Sequence, residues 1–251
     1  MKSQPKNDSF QSFIVSLHNK KDNRSRKQEV LLELYQIKQF FLNPKTNLSI
    51  IENSILKLAY VVMLGDKIDF GIEHIKNLIT SNHYHFVRIG WLAFMIFDIR
   101  NEKNILDIIQ ILQQQLASFD NEPVQSLVLS VISQIFSHSV LESVGPNVAQ
   151  IAVSPRSSEF ARKKALILSG RIYQETKDPT IISILTPALP IYLGYGSYSI
   201  RMSTATLLVI LMSSQPGAFS DLFTQVLDLL YHFYQPNEDT LTEDYKGTPS
   251  P

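Results

Sequence analysis

Helix starts recur at an almost constant interval along this chain, and that recurrence restricts the fold more than any other feature. Apolar residues return at helical spacing, as in Ile51, Ile55, Leu58, Val61 and Val62, or Ile105, Ile108, Ile109, Leu112 and Leu116. In the second stretch Gln110 and Gln113 to Gln115 supply the polar face. The first helix of each successive pair is predicted to begin near Asn47-Leu48, Tyr84, Asn121, Ser157 and Gly196-Ser197, about 36 to 39 residues apart. Breaks are expected at Gly65, Asn82, Asp120-Asn121, Ser154-Pro155, Gly194 and Pro216-Gly217. Sustained period-two alternation, which strands would need, is missing. A period near 40 with two helices per unit predicts an all-α, armadillo/HEAT-like helical-repeat solenoid. One helix pair cannot bury both of its apolar faces, so neighbours must stack into a continuous core.

A short helix (about Phe10 to His18) and a longer one (about Asp22 to Leu42) precede the first full pair. The expected organisation is a disordered N-terminus at 1–9, a solenoid at 10–235 and a disordered acidic, polar tail at 236–251. About ten to twelve helices in a right-handed curved stack should result. The last two helices carry Leu207 to Met212 and then Phe219, Leu222, Phe223, Val226, Leu227, Leu229 and Leu230. That is more apolar surface than one pair can bury, so self-association or dependence on partner chains is expected.

Composition narrows the function. Lysine plus arginine equal aspartate plus glutamate at 23 each, unlike the basic excess of a nucleic-acid binder. There is no cysteine, which removes disulfides and thiolate metal sites. The polar start predicts no secretory signal, and the longest apolar runs, Ile89–Phe97 and Leu207–Met212, fall short of the roughly 18 residues of a membrane span. No G-x-S-x-G, H-E-x-x-H or D-x-D-x-D-G pattern and no phosphate-loop glycine spacing occurs, so neither an enzyme nor a cofactor is expected. His83, Tyr84 and His85 lack further ligands nearby and read as a solvated loop, not a metal site. Trp91 and Phe94 read as core. Arg162, Lys163 and Lys164 open a helix that also carries Glu159. Lys20, Lys21, Arg24, Arg26 and Lys27, set against Asp22 and Glu29, suit either a weak membrane contact or a plain charged turn.

One stretch carries a family resemblance. LGDKIDFG (Leu64 to Gly71) is followed by NLITSN (Asn77 to Asn82), Tyr84 and IGWL (Ile89 to Leu92). This order resembles the N-terminal trunk of the large adaptin chains, L-G-x-x-I-D-F-G, N-L-[IL]-[ST]-S-N, tyrosine, I-G-Y-L, without a gap across 29 residues. The IDFG form is most similar to alpha-adaptin, the large chain of the plasma-membrane clathrin adaptor. Phe13 to Phe41 follows that chain's first two helices, Gln115 to Ser118 resembles its D-L-A-S, and Ala165 to Tyr173 its A-L-C-L-L-R-L-Y. The likeness is clear from about Phe10 to Pro179 and weaker to Tyr234.

In such a corner Gly65 is expected to close one helix in the left-handed conformation, and Asp69 to cap the next, with Glu73 in its first turn. Phe70 should anchor the corner in the core beside Gly71, Asn82 should end the following helix, and Gly90 should admit a neighbouring helix. The resemblance implies a non-catalytic scaffold subunit of a vesicle adaptor. Its implied partners are a small chain, a medium chain and a second large chain, on the cytosolic face of membranes. Family large chains are much longer, so this sequence reads as a truncated product, a fragment or a divergent short relative. The match places His18 where the plasma-membrane adaptor uses an arginine for dileucine signals. A histidine lacks arginine's planar fork and permanent charge, so that binding should be weak or pH-sensitive. The family's phosphoinositide positions read here as Asp8, Phe40, Ile51, Glu52 and Asn53, with only Lys57 basic. Weak phosphoinositide contact, little changed by charge reversal at Lys57, is therefore expected. The alternatives are another helical-repeat scaffold, such as a transport receptor or other coat subunit, and a stand-alone lipid-binding module.

Overall fold

Most helices open on a side chain that can accept a hydrogen bond from the first turn, so the local sequence dictates where each begins. The computed structural model describes residues 9–97, 102–135, 137–215, 217 and 219–234. Ser9 caps α1 (Phe10–Asn19), Asp22 caps α2 (Asn23–Leu42) and Asn47 caps α3 (Leu48–Met63). Then come α4 (Ile72–Ile79), α5 (Tyr84–Ile96) and α6 (Glu102–Leu116). Asn121 caps α7 (Glu122–Ile132), α8 spans His138–Val153, and Ser158 caps α9 (Glu159–Thr176). Asp178 caps α10 (Pro179–Leu185), a 3-10 turn (Thr186–Ala188) leads into α11 (Leu189–Tyr195), and Ser197 caps α12 (Tyr198–Ser214). The last helix is α13 (Ser220–Tyr234). No strand occurs among the described residues. The expected terminal tails, 1–9 and 236–251, lie outside the described residues except for Ser9.

Thirteen α-helices among the described residues exceed the expected ten to twelve. The excess comes from one interrupted helix. Pro187 and Pro190 remove two backbone donors from the stretch between Pro179 and Tyr195, dividing it into α10, the 3-10 turn and α11.

The chain forms two compact units, residues 1–111 and 112–251. Within unit 1, α3 packs on α1, α2, α4 and α5. Its core holds Ile55, Leu58, Ile75, Leu78, Ile79 and Trp91, each fully buried, and Phe94 meets Trp91 edge to face. Within unit 2, α9 packs on α7, α8 and α12, and α8 on α10. Within each unit, helices two or three places apart in the chain thus pack on one another, α3 on α5 and α7 on α9, the contact pattern of a repeat stack. Side-chain bonds repeat the period. Arg156 donates to Asp120, Lys164 to Ser130, Ser197 to Glu159 and Tyr192 to the Ala152 carbonyl, at separations of 36, 34, 38 and 40 residues. Arg162 is occupied by the Ser154 and Ser157 carbonyls. On the final helices Leu207, Leu208, Leu211 and Val226 are buried, as is Phe219 just before α13, whereas Val209, Phe223, Leu227 and Tyr231 are exposed.

Candidate functional site

The basic turn between α1 and α2 is partly consumed by its own architecture. Lys20 pairs with Glu29 at 3.4 Å, and Arg26 Nε donates to the Lys20 carbonyl at 3.1 Å. Ser16 donates to Glu29 at 2.6 Å. That bond, with Lys20 beside it, holds the Glu29 carboxyl below the usual range despite some burial. Lys21, Arg24 and Lys27 remain exposed, as does His18 in the last turn of α1.

Lys57 corrects the sequence reading. Instead of facing a membrane it is 1% exposed, with its ammonium 2.6 Å from Glu33 and 5.7 Å from the Phe13 ring centroid. The cause lies in helix geometry. Ser54 and Val61, three residues before and four after, are both buried, so Lys57 sits on the inward stripe of α3. Two other positions read for phosphoinositides are no better placed. Ile51 is buried and Glu52 pairs with His85 at 2.8 Å, while Asp8 lies outside the described residues. Tyr84 is exposed beside His85, and no metal-ligand cluster of three His, Cys, Asp or Glu occurs among the described residues.

The corner between α3 and α5 uses its motif residues unevenly. Gly65 follows α3 at φ +99°, with its N–H bonded to the Val62 carbonyl and Asp66 N–H to that of Val61. Gly90 lies buried where α5 crosses α4, and a β-carbon there would stand 2.8 Å from the Ile79 backbone nitrogen. Asp69 does not cap α4. The N-cap is Gly71, at φ +99° and without any side-chain cap, because the chain needs two more residues to swing into the helix. Glu73 does lie in the first turn. Nor does Asn82 end α4, which stops at Ile79 with Thr80 as C-cap, leaving Asn82 in the following bend. Phe70 is half-buried and not part of the core; it meets Phe41 edge to face at 6.2 Å. Ile68 takes the inward place, against Phe13, Leu17, Val30 and Val61.

An apolar-walled cavity of about 430 Å³, lined in part by Phe70, lies between the end of α2 and the start of α4. Phe41 stacks on His74 at 3.8 Å, Lys38 lies 4.6 Å from the Phe70 ring centroid, and Asp69 and Glu73 stand at the rim. The sequence reading missed this site, since its rings come from segments about 30 residues apart and only tertiary packing unites them. Burial holds the His74 imidazole below its ordinary value of 6.5, outweighing its hydrogen bond to the Phe41 backbone and the nearby Glu73 charge. The fold thus favours the neutral ring, and this stability is complete above the unfolded value of 6.5 and lost as pH falls through the depressed one. The melting temperature should therefore drop more steeply between about pH 7 and pH 5 in the natural chain than in His74→Phe, which keeps the stack and cannot titrate. Parallel profiles would contradict this.

Comparison with known proteins bears on the whole corner. A profile of the adaptin N-terminal region matches residues 26–189, most of the described helices. The chain belongs to the adaptin N-terminal family.

This adaptin is 27% identical over 225 residues to the mouse AP-1 complex subunit gamma-like 2, covering 88% of this chain and 27% of the relative. It is 23% identical over 244 residues to the Schizosaccharomyces pombe AP-1 complex subunit gamma-1, covering 97% and 28%. The Arabidopsis thaliana AP-2 complex subunit alpha-1 is 24% identical over 241 residues, covering 95% and 24%. The chain thus spans about a quarter of the length of these relatives. Gamma and alpha chains match at similar identity, so the likeness is to large chains as a class. A chain in a homology model of the full-length AP-3 complex in an intermediate open conformation shares the fold. Its TM-score is 0.55 at 17% identity, covering 81% of this chain and 39% of that one.

Proposed function

We propose that this adaptin is a non-catalytic scaffold subunit of a clathrin-associated vesicle adaptor complex. It acts in vesicle-mediated protein transport and endocytosis, through protein–protein contacts on the cytosolic face of membranes. The family match over residues 26–189 carries this reading, together with relatives named as subunits of the AP-1 and AP-2 complexes. Its partners in this reading are a small chain, a medium chain and a second large chain. The exposed Phe223, Leu227 and Tyr231, spaced four residues apart on α13, favour dependence on a partner. No helix among the described residues is long and apolar enough to cross a membrane, and attachment would be peripheral.

His18 is the proposed contact for the acidic residue of a dileucine signal. Any phosphoinositide contact falls to Lys21, Arg24, Arg26 and Lys27, since Lys57 is buried. Four exposed basic groups, with Asp22 among them, give weak attraction that physiological salt largely screens. That weakens the stand-alone lipid-binding alternative.

Co-expression with small adaptor chains tests the reading. The expected result is a stoichiometric complex that survives size exclusion and binds dileucine peptides weakly, with less binding after His18→Ala. A large chain that elutes alone from every small chain tried would overturn it.

A further inference from the structure

We propose that the cavity between α2 and α4 receives a basic side chain, lysine or arginine, presented by a partner protein, and that Lys38 fills this role in the free chain. Three observations converge on a cationic guest. The Phe70 face already holds an ammonium, since Lys38 Nζ lies 4.6 Å from the ring centroid, within the range of cation–π attraction. The ring is held in place, edge to face on Phe41 at 6.2 Å, and Phe41 is in turn stacked on His74 at 3.8 Å. The cavity is also lined by two carboxylates, of which Asp69 is the one left for a guest. Asp69 has no ion-pair partner among the described residues, and Glu73 shares Lys76 with Asp107.

The internal guest also indicates the kind of external one. It is a primary ammonium on a four-carbon stem, and Leu42 and Ile72 give the cavity apolar walls for such a stem. At about 430 Å³ the space exceeds what one lysine tip needs. An incoming lysine or arginine would take the Phe70 face or pair with Asp69, and Lys38 would compete with it. Lys38 is exposed on α2, so it can swing out into water.

The test is a nuclear magnetic resonance titration of the full chain, following the Gly71 and His74 backbone signals. The probes are acetyl-Ala-Lys-Ala-amide, its arginine and norleucine counterparts, and phosphocholine. The expected result is binding of the lysine and arginine peptides on the order of tenfold tighter than the norleucine peptide. Lys38→Gln should strengthen basic-peptide binding several-fold, and Asp69→Asn should weaken it. Equal binding of lysine and norleucine peptides, or binding of phosphocholine alone, would overturn the proposal. So would absence of binding to both the natural chain and Lys38→Gln, or a Lys38→Gln variant with unchanged affinity.

Discussion

Lys57→Glu is expected to destabilise unit 1 by about 3–5 kcal/mol, the cost of breaking a buried ion pair by one partner. The Lys57 and Glu33 side chains are only 2% and 13% exposed, and their charged atoms lie 2.6 Å apart. Reversal would set two carboxylates in the space now shared by opposite charges, above the apolar cluster of Phe13, Leu17, Val30 and Val61. Two large costs combine there, desolvation and like-charge repulsion. Replacing both partners, as in Glu33→Gln with Lys57→Met, should cost far less, because neither charge is then stranded. Urea unfolding of the two variants and the natural chain would measure this. A Lys57→Glu chain within about 1 kcal/mol of the natural one, the range of an exposed pair, would contradict the burial of Lys57.

Gly90→Val should be almost as damaging, and Gly90→Ala should lower stability despite favouring a helix. The β-carbon added by alanine would stand 2.8 Å from both Cγ1 and the backbone nitrogen of Ile79, and 3.1 Å from Leu78 Cβ. A flexible side-chain tip could move away, but the Ile79 backbone cannot move without displacing α4. Leu78 and Ile79 are themselves fully buried, so the contact at Gly90 is close-packed. Helix propensity gains about 1 kcal/mol from Gly→Ala, while overpacking of this kind costs about 1–3 kcal/mol. A net loss for alanine and a loss of about 3 kcal/mol for valine follow. Thermal melts read this as a fall of several degrees. A rise in melting temperature for Gly90→Ala would show that the helices can separate cheaply.

The repeat was legible because its punctuation is local. Asn47, Asn121, Ser158 and Ser197 each accept a hydrogen bond from the first turn of the helix they precede, so cap and periodicity agree on where it starts. The interrupted helix was also written in the sequence, at Pro187 and Pro190, but one proline-rich stretch still reads as one helix by its apolar spacing. The corner was harder. Asp69 has a capping side chain, yet the approach path makes Gly71 the residue that enters α4, and only a backbone at positive φ turns there. Lys57 misled because its place came from the family resemblance and not from its face of α3, which Ser54 and Val61 mark as inward. Nothing local announces the cavity, because Phe41 and His74 come together only once α2 and α4 have packed.

The central claim is that this adaptin works as a large chain within an adaptor assembly. Its most direct test is immunoprecipitation of the tagged chain from cells that express it, with mass spectrometry of what accompanies it. A small chain, a medium chain and a second large chain are expected together, in near-equal amounts. Recovery of the tagged chain without any of the three, from a lysate whose adaptor complexes stay intact, would contradict it.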